Sequence, residues 1–150
     1  ALTTFSCQNF GAGQFGRIKK ATWITLGLSL LTTAAIVFAF MNWSEKIYML
    51  FTRDKEVLKS GIEMAGYLAP FYFTYISIEV LSGTVRGAGK SFAPTVITVF
   101  GVCALRLLWL FIAVPANQTI KTVLFSYPLT WTVTSIAFWI YFLSNRWLKN

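Results

Sequence analysis

Apolar residues fall along this chain in four long runs, parted by short polar segments. Residues 21–44 and 122–145 carry no charge, residues 64–85 hold only Glu79, and residues 91–120 hold only Arg106. A helix needs about 20 predominantly apolar residues to cross about 30 Å of hydrocarbon. The pattern therefore predicts four membrane-spanning helices, over residues 21–42, 62–85, 93–114 and 121–143. A β-barrel would alternate polar and apolar positions, which these runs do not. Residues 1–16 read as a short helical end and a loop. The punctuation agrees with the spans. Ser91 stands where an N-cap is wanted, with Pro94 in the first turn after it. Pro115 begins a turn. Pro70 and Pro128 fall inside the second and fourth runs and predict kinks there. Trp23, Trp43, Tyr48 and Trp147 lie near span ends, where amphipathic rings favour the membrane interface. In the longer first connection, Ser44 and Asp54 are each placed to cap a short interfacial helix, such as residues 45–51.

Composition sharpens the choice of solvent. A soluble domain carries about 45–50% apolar and about 25% charged residues. This chain of 150 residues is 56% hydrophobic and 12% charged, too little charge to clothe a water-facing surface. The bilayer is thus the first expected partner. The net charge of +8 raises nucleic acid as a partner. However, the lysines and arginines sit mostly in the short segments between runs, not on a stripe that would track phosphates, and no nucleic-acid partner is expected. Cys7 and Cys103 make no disulfide framework. Histidine is absent, which removes most metal and acid–base constellations. The chain opens on Ala1 with no basic segment before an apolar core, so no signal peptide is expected, and it reads as part of a longer protein. Arg17, Lys19, Lys20, Arg86, Lys90, Arg146 and Lys149 fall on one side of the predicted bundle, seven against the five of Lys46, Arg53, Lys55, Lys59 and Lys121. The positive-inside rule then puts the C-terminus in the cytoplasm.

Two glycine patterns imitate nucleotide sites and fail on context. Gly11-Ala12-Gly13-Gln14-Phe15-Gly16 matches the dinucleotide fingerprint, but an apolar helix follows and the next acid is Glu45. The stretch from Gly83 to Ser91 resembles a phosphate loop, with its first glycine one residue too far back and a membrane helix before it. Close helix packing through Gly83 and Gly87 is the plainer reading. The charges inside the runs carry more. A mid-helix charge costs about 2.5–3.5 kcal/mol on insertion scales, so such a residue faces a cavity or a partner. Glu79 lies about 9 Å from the inner end of its span and Arg106 about 20 Å from the start of its own, at 1.5 Å per residue. That separation is too great for a close pair. Tyr75, one turn from Glu79 on the same face, and Tyr72 come nearer to the depth of Arg106. Either Glu79 or Arg106 lines a polar pathway and couples to a proton or cation, or Arg106 ties helices together while Glu79 snorkels to the interface. The polar notches of Thr32 and Thr33, and of Thr130, Thr132, Thr134 and Ser135, read as helix–helix hydrogen bonds.

The motifs, taken in order, resemble one family. Thr3-Thr4-Phe5, Gln8-Asn9, Gly11-Ala12-Gly13 and Arg17 with Lys19-Lys20 look like the segment that closes the eighth helix of multidrug and toxic compound extrusion (MATE) transporters. The stretch from Leu50 to Val57 resembles the segment after their ninth helix. Gly83-Thr84-Val85-Arg86-Gly87-Ala88-Gly89 is similar to the end of the tenth and is the most specific piece. Arg106 and the stretch from Ser126 to Trp131 resemble features of the last two. The resemblance implies an all-α membrane fold, with this chain as part of the C-terminal six-helix lobe of a twelve-helix transporter whose N-terminal lobe lies elsewhere in the polypeptide. It implies export of drugs or organic cations in exchange for Na⁺ or H⁺ by alternating access, in the plasma (cell inner) membrane, with no cofactor beyond the coupling ion and no enzymatic activity. Some family members carry an acidic cation-site residue in the tenth helix. Tyr75 stands at that position here, with Glu79 one turn closer to the inner side. A related flippase for lipid-linked sugars and a non-transporting assembly subunit are the alternatives.

Overall fold

The computed structural model describes residues 1–148, and most of these are helical with no strand among them. Lys149, counted above for orientation, lies outside the described residues. Helix α1 (Leu2–Gly11) ends in a turn at Ala12 and Gly13, and α2 (Phe15–Met49) follows at once. Gly13 has φ +70°, a left-handed conformation open to glycine, and this lets the chain reverse in so few residues. Helix α2 is 35 residues long. It contains the first predicted span and continues past it. The separate interfacial helix expected over residues 45–51 is not there. No glycine or proline interrupts residues 28–49, so nothing halts the helix, and the Ser44 hydroxyl only back-bonds to the Met41 carbonyl at 3.5 Å. Asp54 does cap, although not a short interfacial helix. Its carboxylate accepts the amide protons of Glu56 at 2.9 Å and Val57 at 3.5 Å to open α3 (Lys55–Leu68).

The second predicted span is broken rather than merely bent. Helix α3 ends at Leu68, a single 3₁₀ turn occupies Ala69–Phe71, and α4 (Tyr72–Gly87) continues. Pro70 supplies the cause, since its ring lacks an N–H and collides with the carbonyl a turn earlier. The third span also carries an interruption that hydropathy does not announce. Between α5 (Phe92–Thr98) and α6 (Leu105–Ala116) the backbone widens into a π-helical segment, Val99–Ala104. Ser91 stands at the N-cap of α5, but its side chain makes no capping bond. Helix α7 (Ile120–Leu143) runs through Pro128 as one element, and Thr119 caps it by accepting the Thr122 amide at 3.3 Å. Among the described residues, three continuous helical stretches are long and apolar enough to span a bilayer, Phe15–Met49, Phe92–Ala116 and Ile120–Leu143. The fourth expected span is shared between α3 and α4.

Helix α4 is the centre of the bundle and packs against α1, α2 and α7. Its Ile78, Leu81 and Val85 join Ile18 and Leu26 of α2 and Phe138 and Phe142 of α7 in one buried cluster. Trp147 closes that end, stacked on Phe142 at 5.2 Å and donating its indole N–H to the Phe142 carbonyl at 3.0 Å. Across the cluster, the hydroxyls of Thr22 on α2 and Thr84 on α4 meet at 3.0 Å, a buried interhelical bond. The opposite faces carry apolar side chains outward. Phe100, Phe111 and Ile112 are 67–78% exposed, a surface that water would not tolerate and lipid or protein would.

Candidate functional site

Arg106 and the tyrosines of the apolar runs meet along α7, which packs against both α4 and α6. Tyr72, Tyr75 and Glu79 share one face of α4, three and four residues apart. Both tyrosines reach Trp131 on α7, with ring centroids 5.6 Å and 5.3 Å away. Trp131 in turn meets Tyr127 edge-on at 5.7 Å. Tyr127 lies under Arg106 of α6, whose guanidinium carbon stands 4.1 Å from the ring centroid. Arg106 also donates from Nη2 to the Thr130 hydroxyl at 3.2 Å. Its charge is therefore spread over a ring face and a hydroxyl of α7, while its buried Nε has no partner.

The route to α7 is a close one. A methyl group on Gly101, within the π segment, would collide with the Thr134 side chain, whose Cβ would lie 3.1 Å away. Thr134 donates to the Thr130 carbonyl at 2.6 Å, and Thr130 donates to the Tyr127 carbonyl at 3.1 Å. Helices α5 and α6 thus approach α7 through the smallest residue in their run. The widened turn sets the phase of Arg106 just beyond it. Lone Gly101 in an otherwise bulky run was the available signal for this contact. Tyr127 and Trp131 were legible only as part of the Ser126 to Trp131 stretch of the resemblance, and that stretch does not say what they touch.

Glu79 points away from that core. Its neighbours Ile78 and Val80 are buried whereas it is exposed, beside Tyr75 and one turn from it. Tyr75 and Tyr72 are partly covered by Trp131 yet still 38% and 42% exposed, so ring surface remains open next to the carboxylate. Glu79 and Arg106 form no ion pair. Among the described residues no group of three or more His, Cys, Asp or Glu gathers as a metal site.

The loop motifs build a different place, at the Gly87 end of α4. Helix α1 crosses α4 where Gly83 and Gly87 leave room. A methyl on Gly87 would stand 2.5 Å from the Thr3 carbonyl oxygen and 2.6 Å from Ser6 Cβ, and one on Gly83 would stand 3.3 Å from the Thr3 hydroxyl. Asn9 is buried there and donates from Nδ2 to the Phe5 carbonyl at 2.8 Å, while its own carbonyl accepts the Gln14 amide at 2.8 Å. Gln8 is exposed, and its backbone carbonyl accepts from the amide of Ala12 at 3.2 Å. Gly11 has open space around it, Gly89 turns the chain after α4 with φ +79°, and Arg86 faces outward. These residues hold a helical junction together, and none gathers into a ligand cradle.

The MatE family model matches residues 1–112, from α1 through the α6 residues that follow Arg106. The chain belongs to the MatE family. It is 24% identical over 102 residues to a probable multidrug resistance protein, YoeA, of Bacillus subtilis (strain 168), a match covering 68% of this chain and 22% of that protein. It is 32% identical over 100 residues to protein DETOXIFICATION 18 of Arabidopsis thaliana, covering 66% of this chain and 21% of that protein. The chain thus spans about a fifth of the length of these relatives. No solved structure matches it. Family membership and the exposed apolar helices together make this an integral membrane protein.

Proposed function

We propose that this chain forms part of a secondary active efflux transporter that exchanges drugs or organic cations for Na⁺ or H⁺ by alternating access. It does no enzymatic chemistry; its work is binding and conformational change. The observation that carries the reading is the open aromatic face of Tyr72 and Tyr75, braced by Trp131 and adjoining the Glu79 carboxylate. An organic cation is attracted by the negative face of an aromatic ring, by about 0.5–2 kcal/mol each, and more so beside a carboxylate within the span. The names of the two relatives, one a multidrug resistance protein and one a detoxification protein, support the same reading.

Within this proposal Glu79 is the coupling group and Tyr75 its neighbour at the cavity. Arg106 is a tie: removing its charge would free Tyr127 and Thr130 from α6 without touching the face of α4 that meets the substrate. The N-terminal lobe of the same polypeptide completes the cavity. The transporter sits in the plasma membrane with its C-terminus in the cytoplasm, as the distribution of lysine and arginine supports. The deciding experiment is Glu79→Gln in the full-length protein, with cation-driven dye efflux measured in vesicles. Efflux should be abolished while the protein still inserts. Efflux at the wild-type rate would return Glu79 to a side chain that merely snorkels.

A further inference from the structure

At the other end of α3 and α7 lies a cavity of about 770 Å³, a volume suited to a small amphiphile. Its walls are apolar, formed by Met64 and Tyr67 of α3 and Ile120 and Leu124 of α7. Its rim carries an ion pair, Lys121 Nζ to Glu63 Oε1 at 3.1 Å. Both side chains are largely exposed, at 79% and 60%. Such a pair is held weakly, so exchanging it for a ligand's charges costs little. The two charges are of opposite sign and stand side by side over an apolar slot. The molecule that complements them is a zwitterionic amphiphile, with an anion for Lys121, a cation for Glu63, and a hydrocarbon chain for the walls.

The level of the cavity in the bundle selects the source. Helix α6 ends at Ala116 and α7 begins at Ile120, so the three-residue turn between them fixes this end of the pair. Both elements belong to stretches apolar enough to span the bilayer, and their joint end must lie where hydrocarbon gives way to headgroups. Trp109 reinforces that level, donating its indole N–H to the Thr122 carbonyl at 3.0 Å. We infer that the slot between α3 and α7 binds a membrane phospholipid bearing a primary ammonium group, its phosphate on Lys121 and its ammonium on Glu63. A primary ammonium can donate hydrogen bonds to the carboxylate, which a quaternary ammonium cannot. The inference rests on membrane insertion alone and stands apart from the transport reading.

The test reconstitutes the full-length protein in nanodiscs of equal phosphatidylethanolamine and phosphatidylcholine and counts retained lipid by native mass spectrometry. Phosphatidylethanolamine should be enriched over phosphatidylcholine by about tenfold, the worth of one charge-assisted hydrogen bond. Glu63→Gln should remove the preference, whereas Lys121→Gln, which takes away the partner of a phosphate that both lipids carry, should lower the retention of both. Leu124→Trp, which fills the slot and leaves both charges, should displace the lipid altogether. A photoactivatable phosphatidylethanolamine should label α3 or α7 in the wild type and not in Leu124→Trp. Equal retention of the two lipids, enrichment that persists in Glu63→Gln, or labelling confined to other helices would each overturn the inference, the last by showing that another part of the protein fills the slot. Dye efflux measured in parallel reports on the transport reading separately.

Discussion

The contact between α1 and α4 turns on a single missing side chain. At Gly87 an added methyl would press on the Thr3 backbone carbonyl at 2.5 Å, and backbone cannot swing aside as a side-chain tip can. Gly83 faces the Thr3 hydroxyl at 3.3 Å, a softer neighbour. Gly87→Ala should therefore destabilise the protein by about 1–3 kcal/mol, the ordinary cost of overpacking. Gly83→Ala should cost clearly less. Unfolding titrations of the full-length protein in detergent would compare them, and equal losses would show that the crossing is looser than these distances require. The same residue scale explains why Arg106 is tolerated in an apolar run. Its guanidinium meets a ring face and a hydroxyl instead of hydrocarbon. Its depth was readable from the sequence, but its partners were not, because they lie on a helix twenty residues and more downstream with no fixed rotation relative to α6.

Among the elements, the broken second span is the most consequential departure from the apolar pattern. Hydropathy integrates over a run and is blind to one lost hydrogen bond. Pro70 was visible as a kink site, and the structure converts it into a 3₁₀ turn between two helices of differing character. Helix α3 carries Lys55, Glu56, Lys59 and Glu63, whereas α4 is buried on one face and holds Glu79 as its sole acid. Replacing Pro70 by Ala should restore the missing N–H and let α3 continue into α4. Spin labels at Lys59 and Phe73 should then converge on about 21 Å, the spacing of fourteen residues in a straight α-helix. A distribution unchanged from that of the wild type would mean that the break is imposed by packing and not by proline. The π segment in the third span has no proline to announce it. It coincides with Gly101 at the closest approach to α7, and such bulges recur where a helix must re-aim side chains.

For the whole molecule, orientation is the property most open to direct test. The count of lysine and arginine favours a cytoplasmic C-terminus, and the number of crossings is then set by α2, the α3–α4 pair, α5–α6 and α7. On the proposed orientation, a fluorescent reporter inserted after Asn150 should light up, because it would fold in the cytoplasm. An alkaline phosphatase fused there should stay inactive. The reverse pair of results would invert the bundle and move Glu79 towards the opposite surface. The bundle is also unevenly packed. The end near Gly87 and Trp147 holds most of the buried cluster, whereas the α3 end holds an open cavity and an exposed ion pair.

The sequence by itself determined the solvent, the helical class and the family, because each depends on local composition or on motifs contiguous in the chain. Asp54 as a cap, Gly83 and Gly87 as a packing pair and Pro70 as a kink site also come from local stereochemistry. The tertiary structure alone decided which faces meet. It brought Tyr72 and Tyr75 to Trp131, put Arg106 over Tyr127, seated Gly101 against Thr134 and paired Lys121 with Glu63. In lipid nearly every face of the charge-poor helices α2, α6 and α7 is apolar enough to be either buried or exposed, so hydrophobicity cannot say which way such a helix is turned. Shape and a few hydrogen bonds between distant segments settle that, and they exist only once the helices are packed.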